Sequence, residues 1–110
     1  MFHEIIFNGN NLIEFYPILI PEGLYRLKIE FDDCFFIIEL LYKKNVNAND
    51  PYHLFFYDRL QIDDNNFFYY KFSKPSNYRC EIQNNNNKYF IFRVKKDTKM
   101  VYCFKIKIKK

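Results

Sequence analysis

Gly23–Lys44 reads GLYRLKIEFDDCFFIIELLYKK, and its two halves decide the fold class. In the first half Tyr25, Leu27, Ile29 and Phe31 alternate with Arg26, Lys28 and Glu30, the period of two of a strand with one dry face and one wet face. Asp32-Asp33 breaks the apolar run with two strand-averse residues suited to a tight turn. The second half differs. Cys34, Phe36, Ile38, Leu40 and Tyr42 fill one face, while Phe35, Ile37 and Leu41 fill most of the other around Glu39. A strand apolar on both faces needs cover twice, once from its own core and once from a second layer of the chain or from another subunit.

Toward the N-terminus, Phe2–Phe7 (FHEIIF) reads as a strand ended by the turn signal Asn8–Asn11. Leu12–Ile20 is apolar but carries Pro17, with Pro21 just beyond. It is therefore expected as an edge strand, or as two short strands with a bend. Toward the C-terminus, Lys43–Pro51 is a polar loop, and Tyr52–Tyr57 (YHLFFY) is the next strand, with Leu60 and Ile62 as its candidate extension. Asp63–Asn66 turns the chain into Phe67–Phe72, which is aromatic on both faces. Tyr78–Gln83 sets Tyr78, Cys80 and Ile82 inward, and Asn84–Asn87 joins it as a hairpin loop to Lys88–Val94. After the turn Lys95–Lys99, the last strand, Met100–Ile108, places Met100, Tyr102, Phe104, Ile106 and Ile108 on one face; the other passes from Val101 and Cys103 to Lys105 and Lys107. No segment sustains an i, i+3, i+4 apolar pattern. The chain is expected to be all-β: one domain over residues 1–110, an antiparallel β-sandwich or jelly roll of eight or nine short strands with no substantial helix.

The 110 residues are dominated by Phe, Ile, Asn, Lys and Tyr, whose codons are A/T-rich, so an aromatic content of 22% carries less functional weight than it would elsewhere. Net charge is +4, and Lys105, Lys107, Lys109 and Lys110 supply a basic tail. Without them the chain is near neutral, short of the basic density of a dedicated nucleic-acid binder. Cys34, Cys80 and Cys103 are odd in number, widely spaced and set in apolar runs. They are expected as buried free thiols in a reducing compartment. The start lacks a basic leader, and no apolar run approaches about 18 residues, so an intracellular, soluble protein with no membrane partner is expected.

Chemistry-bearing residues are few. His3 and His53 have no cysteine or carboxylate at catalytic or metal spacing and read as structural. Asp32-Asp33 and Asp63-Asp64 read as turn residues; only turns meeting at one end of a sandwich could bind calcium. The expectation is a protein that is not an enzyme, with no catalytic residue, cofactor or metal. Two surfaces remain. Phe35, Ile37, Leu41, Phe67 and Tyr69 lie opposite the core positions and form a candidate interface between copies of the chain. Phe67, Tyr69 and Lys71 on one strand, with Tyr89, Ile91 and Arg93 on another, would suit stacking of single-stranded bases in a nucleic-acid-binding β-barrel, the alternative reading.

As a whole the chain resembles the nucleoplasmin-like domain of nucleoplasmins and plant-type histone-deacetylase-like nuclear proteins. The residues that carry this are the aromatic-led start Met1-Phe2-His3-Glu4 with its turn at Asn8–Asn11; the apolar strand Tyr52–Tyr57 followed by Tyr70-Lys71-Phe72; and the closing pair Phe92-Arg93-Val94-Lys95 and Val101-Tyr102-Cys103-Phe104. The family opens on Phe-Trp-Gly and carries an acidic tract, where this chain has Phe2-His3-Glu4 and a basic end. The resemblance implies a jelly roll assembled as a homopentamer, a histone or nuclear chaperone core located in the nucleus, with histones or other basic nuclear proteins as partners.

Overall fold

A computed structural model describes residues 2–44, 58–63 and 66–110 as two β-sheets packed face to face. The first contains β1 (Phe2–Asn8), β3 (Gly23–Glu30), β4 (Phe35–Lys44), β5 (Asp58–Asp63) and β6 (Asn66–Ser73), in the spatial order β1-β3-β4-β6-β5. The second contains β2 (Ile13–Glu14), β7 (Tyr78–Asn85), β8 (Tyr89–Lys96) and β9 (Lys99–Lys107), in the order β2-β9-β8-β7. The expected all-β sandwich is present. Among the described residues the only helical element is a 3-10 turn, Pro17–Leu19.

Both sheets are mixed. β1 runs parallel to β3 and β2 parallel to β9, while the remaining pairs are antiparallel. The parallel edges arise because the chain leaves the first sheet after Asn8, joins the second at Ile13 and returns at Gly23. Leu12–Ile20 gives the second sheet only two strand residues and one further bond, from the Phe15 N–H to the Lys107 carbonyl at 2.9 Å. Pro17 then starts the 3-10 turn, since a residue with no N–H and a fixed φ cannot extend a ladder. The strand expected at Tyr52–Tyr57 and most of the loop expected at Lys43–Pro51 lie outside the described residues; Lys43 and Lys44 themselves continue β4.

The hairpin of β3 and β4 pairs from Gly23↔Tyr42 to Glu30↔Phe35, and the Phe31 N–H closes its turn on the Cys34 carbonyl at 2.8 Å. Alternation sends Tyr25, Leu27, Ile29, Phe36, Ile38, Leu40 and Tyr42 into the core, opposite Phe90, Phe92, Val94, Phe104 and Ile106 of the other sheet. Four rings join the sheets at the centre. Phe36 stacks on Phe72 with centroids 5.7 Å apart, and Phe92 on Phe104 at 4.8 Å. Phe36 reaches Phe104 at 6.5 Å and Phe72 reaches Phe92 at 6.0 Å. Such pairs contribute about 0.5–1.5 kcal/mol each beyond the area they bury. The void between Phe15, Leu27, Ile38, Phe92 and Ile106 is only about 10 Å³, too small to hold an ordered water comfortably.

One end of the sandwich is latched by side chains. The Tyr102 hydroxyl of β9 donates to Asp33 Oδ1 in the β3–β4 turn at 2.8 Å, tying that turn to the opposite sheet. The Phe31 ring sits 4.7 Å from Tyr102 and 5.9 Å from Phe36, and lies directly over Gly9, where an added Cβ would collide with the ring carbons. Glycine is required there by this close approach.

Some positions differ from the alternating pattern. Met100 was expected inward but is 55% exposed. A register shift between Val94 and Lys95 pairs Tyr102 with Val94 and Met100 with Lys95, and one extra residue reverses which face follows. Cys103, expected as a buried thiol, is exposed, because it alternates with buried Phe104 and so faces outward; Cys34 and Cys80 are half-buried. The Asn loop behaves as expected. Asn86 and Asn87 both take φ of 54°, and the Lys88 N–H bonds the Asn85 carbonyl at 3.1 Å, the left-handed pair of a type I′ hairpin turn.

Gly9→Ala should lower unfolding stability by about 1–3 kcal/mol, as overpacking does where the neighbour is itself pinned. The denaturant midpoint would fall with an unchanged slope.

Candidate interaction surfaces

Strand register arranges the outer face of the five-stranded sheet in rows. Ile6, Lys28, Ile37 and Ser73 form one row; Glu4, Arg26, Glu39 and Lys71 the next; Leu24, Leu41, Tyr69 and Arg59 the third. Two rows with apolar members thus flank a row whose charges alternate in sign. Of the expected interface residues, Phe35, Ile37, Leu41 and Tyr69 share this face. Phe35 is 53% exposed with Lys28 Nζ 4.3 Å above its ring. Leu41 and Tyr69 are half-buried. Ile37 is only 7% exposed, because long neighbouring side chains cover an outward residue in the middle of a sheet. Phe67 sits opposite Lys43 and Gln61 in the backbone register, and its side chain lies outside the described part of the protein. Ile6, 59% exposed, belongs to the same face and is absent from the sequence-derived set. Its outward orientation follows only from its parallel register with Lys28. Arg26 Nε is buried with no acceptor, beside a hollow of about 170 Å³ formed by Leu24, Tyr25, Arg26 and Glu39.

The outer face of the four-stranded sheet is basic. Its rows are Glu14, Lys107, Tyr89 and Asn85; then Lys105, Ile91 and Gln83; then Cys103, Arg93 and Glu81. Arg93 donates to Gln83 at 2.7 Å, and Lys95 pairs with Glu81 at 2.9 Å. Ile91 is 7% exposed although it lies outside the core cluster. The two aromatic–basic sets expected to stack bases therefore do not meet: Tyr69 and Lys71 face one side of the sandwich, Tyr89, Ile91 and Arg93 the other.

A third feature is the open cleft of about 460 Å³ lined by Asp58, Tyr70, Lys71, Phe72, Lys74, Cys80 and Ile82. Burial, reinforced by Asp58 and Cys80, pushes the Tyr70 phenol up to about 12. Burial also pushes the Cys80 thiol up to about 11, with Lys74 opposing it and Glu81 adding to it. At the latch, hydrogen bonds with Cys34 and then Asp33, with burial behind them, hold the Tyr102 phenol above its ordinary value.

His3 and Asp33 make structural contacts. His3 stacks on Tyr25 at 4.8 Å; His53 lies outside the described residues. Asp33 serves the latch. The turn carrying Asp32-Asp33 closes the sheet end at Phe35, whereas Asp63 pairs with Asn66 at the Lys44 end, so Asp33 and Asp63 lie at opposite ends of the sheet; Asp64 lies outside the described residues. Among the described residues no three His, Cys, Asp or Glu side chains converge as a metal site. Comparison of the chain with family models, with curated proteins and with solved structures returns no match.

Two outcomes follow from the thiols and the cleft. Cys103 should react with a maleimide first in the native protein and Cys80 last, since Cys80 faces inward and forms its thiolate reluctantly; peptide mapping of partly labelled protein would read the order. For pH, both folded values lie above the ordinary 9.0 for Cys80 and 10.0 for Tyr70. The fold therefore favours the neutral forms. Their stabilisation is fully present below the ordinary values and is lost as pH rises through about 11 and about 12. The melting temperature should fall over that alkaline window, and Cys80→Ala should flatten its lower part.

Proposed function

We propose that this protein is a non-enzymatic, self-associating β-sandwich module, and that copies meet through the outer face of the five-stranded sheet. The carrying observation is the row Glu4, Arg26, Glu39, Lys71. A two-fold axis parallel to the strands, passing between β3 and β4, reverses the row in the second copy. Glu4 then faces the second copy's Lys71, and Arg26 faces its Glu39, so every charge meets its opposite. The same operation sets Leu24 against Leu41 of the second copy, Ile6 against its Ser73 and Phe35 against its Glu30, covering Ile6 and Phe35, which are 59% and 53% exposed in a single chain.

This reading keeps the self-association that the nucleoplasmin-like resemblance implies. The assembly can be told apart by mass: a two-fold pair doubles the 13.7 kDa chain, whereas a ring of five multiplies it by five. Histones are the partner implied by that resemblance, although a chain with net charge +4 is electrostatically ill suited to a basic protein.

Light scattering coupled to size exclusion tests the proposal. The expected result is a mass above 13.7 kDa that grows with concentration. Phe35→Asp and Ile6→Asp should return it to the single-chain value with unchanged far-ultraviolet circular dichroism, because both side chains are exposed before assembly. Ile37→Asp is a poorer probe, since its burial within one chain makes it a folding lesion as well. A single-chain mass up to high micromolar concentration would overturn the proposal. Co-elution with core histones at moderate salt would support the chaperone form of it.

A further inference from the structure

We infer that the outer face of the four-stranded sheet binds single-stranded nucleic acid, along a lysine row on β9 and over the Tyr89 ring.

In sequence, Lys105, Lys107 and Lys109 look like the start of a solvated tail. In the fold they are not one. Lys105 and Lys107 are ladder residues of β9, paired with Ile91 and Tyr89, and the alternation continues past the strand: Ile108 is 1% exposed and Lys109 half-exposed. Three ammonium groups therefore project from one side at a two-residue repeat of about 6.8 Å, a straight file that an extended phosphate backbone can follow.

The local balance of charge favours an anion. Lys105, Lys107 and Arg79 make no ion pair with any described residue; of the two acids on the face, Glu81 is paired with Lys95 at 2.9 Å, while Glu14, hydrogen-bonded by the Tyr16 hydroxyl at 2.8 Å, keeps its charge, so the cations remain in excess. Arg93, steadied by Gln83 at 2.7 Å, extends the basic surface toward β7. A basic face of this kind attracts any polyanion.

The aromatic content narrows the class. Tyr89 is half-exposed and lies directly across the ladder from Lys107, while Tyr16 lies under Lys110 Nζ at 5.7 Å from its ring centroid. Rings set among lysines can take base faces, which an acidic polypeptide lacks and a duplex keeps stacked inside. Ile91, sealed between the rows, makes the floor between them apolar. This surface is on the opposite side of the sandwich from the proposed self-association face, so either property can hold without the other.

Fluorescence anisotropy of a labelled poly(dT) oligonucleotide, titrated at several salt concentrations, tests the inference. Binding should weaken steeply with salt. Replacing Lys105, Lys107 and Lys109 together with Gln should lower the log–log salt slope by about two, at roughly 0.7 per lost phosphate contact. Tyr89→Leu should weaken binding about tenfold while Tyr89→Phe leaves it intact, because stacking needs the ring and not the hydroxyl. Lys74→Gln, in the loop after β6 and outside both outer sheet faces, should leave affinity and salt slope unchanged. No binding at low salt, an unaltered slope in the lysine variant, or equal affinity for polyglutamate or duplex DNA would overturn it; the polyglutamate result would reassign the face to acidic protein.

Discussion

Four phenylalanine rings hold the two sheets in register: Phe36 and Phe72 from one, Phe92 and Phe104 from the other, with centroids 4.8–6.5 Å apart around the set. Each ring occupies one phase of its strand, so fixing it inward fixes every second neighbour inward and every other residue outward. The outer faces are consequences of that commitment. Phe35, Ile37, Glu39 and Leu41 face out because Phe36 faces in; Lys105 and Cys103 face out because Phe104 faces in.

That dependence also explains what the sequence made legible. The β3–β4 hairpin could be read residue by residue because its alternation is unbroken and its turn is marked by Asp32-Asp33. The shared face of Phe35, Ile37, Leu41 and Tyr69 followed from the same parity. Parity alone, however, does not measure cover. Ile37 points outward yet is 7% exposed, since depth within the sheet depends on which strands lie beside β4. Nor does parity survive a bulge: Met100 and Tyr102 are two apart in sequence but fall on opposite faces after the shift at Val94/Lys95. The outward face of Lys105 and Lys107 on β9 was legible, but what they stand beside was not. Their meaning lies in the strand next door, where Tyr89 and Ile91 sit opposite them, and no local pattern announces a neighbour. The parallel pairing of β1 with β3, which brings Ile6 beside Lys28, was hidden in the same way.

The two outer faces carry different physics. On the five-stranded sheet, opposite charges alternate across strands and apolar rows lie on either side, a pattern complementary to itself. On the four-stranded sheet, cations outnumber acids, and one of the two acids, Glu81, is already paired with Lys95, a pattern complementary to something unlike itself. Net charge of +4 is thus not spread evenly in its effect. Charges alternate in sign along the central row of one face, whereas cations outnumber acids on the other, so the two proposed surfaces are electrostatically distinct.

Size sets the strength of the first of these. Five strands spaced about 4.8 Å apart and roughly eight residues long at about 3.3 Å per residue outline a face of about 500–600 Å². A standard stable interface buries about 800 Å² of accessible surface from each partner, so the sheet face would have to be used nearly whole. The alternating row adds specificity more than affinity, because its members stay near solvent and exposed ion pairs are worth at most about 1 kcal/mol each. The apolar rows must therefore supply most of the attraction, and Ile37 can contribute little, being already covered within one chain. What remains is Ile6, Phe35, Leu41 and Tyr69, a modest set spread over the sheet. The proposed association, built on them, would be reversible and concentration-dependent, with the charged row aligning the copies and the exposed rings and Ile6 setting how long they stay together.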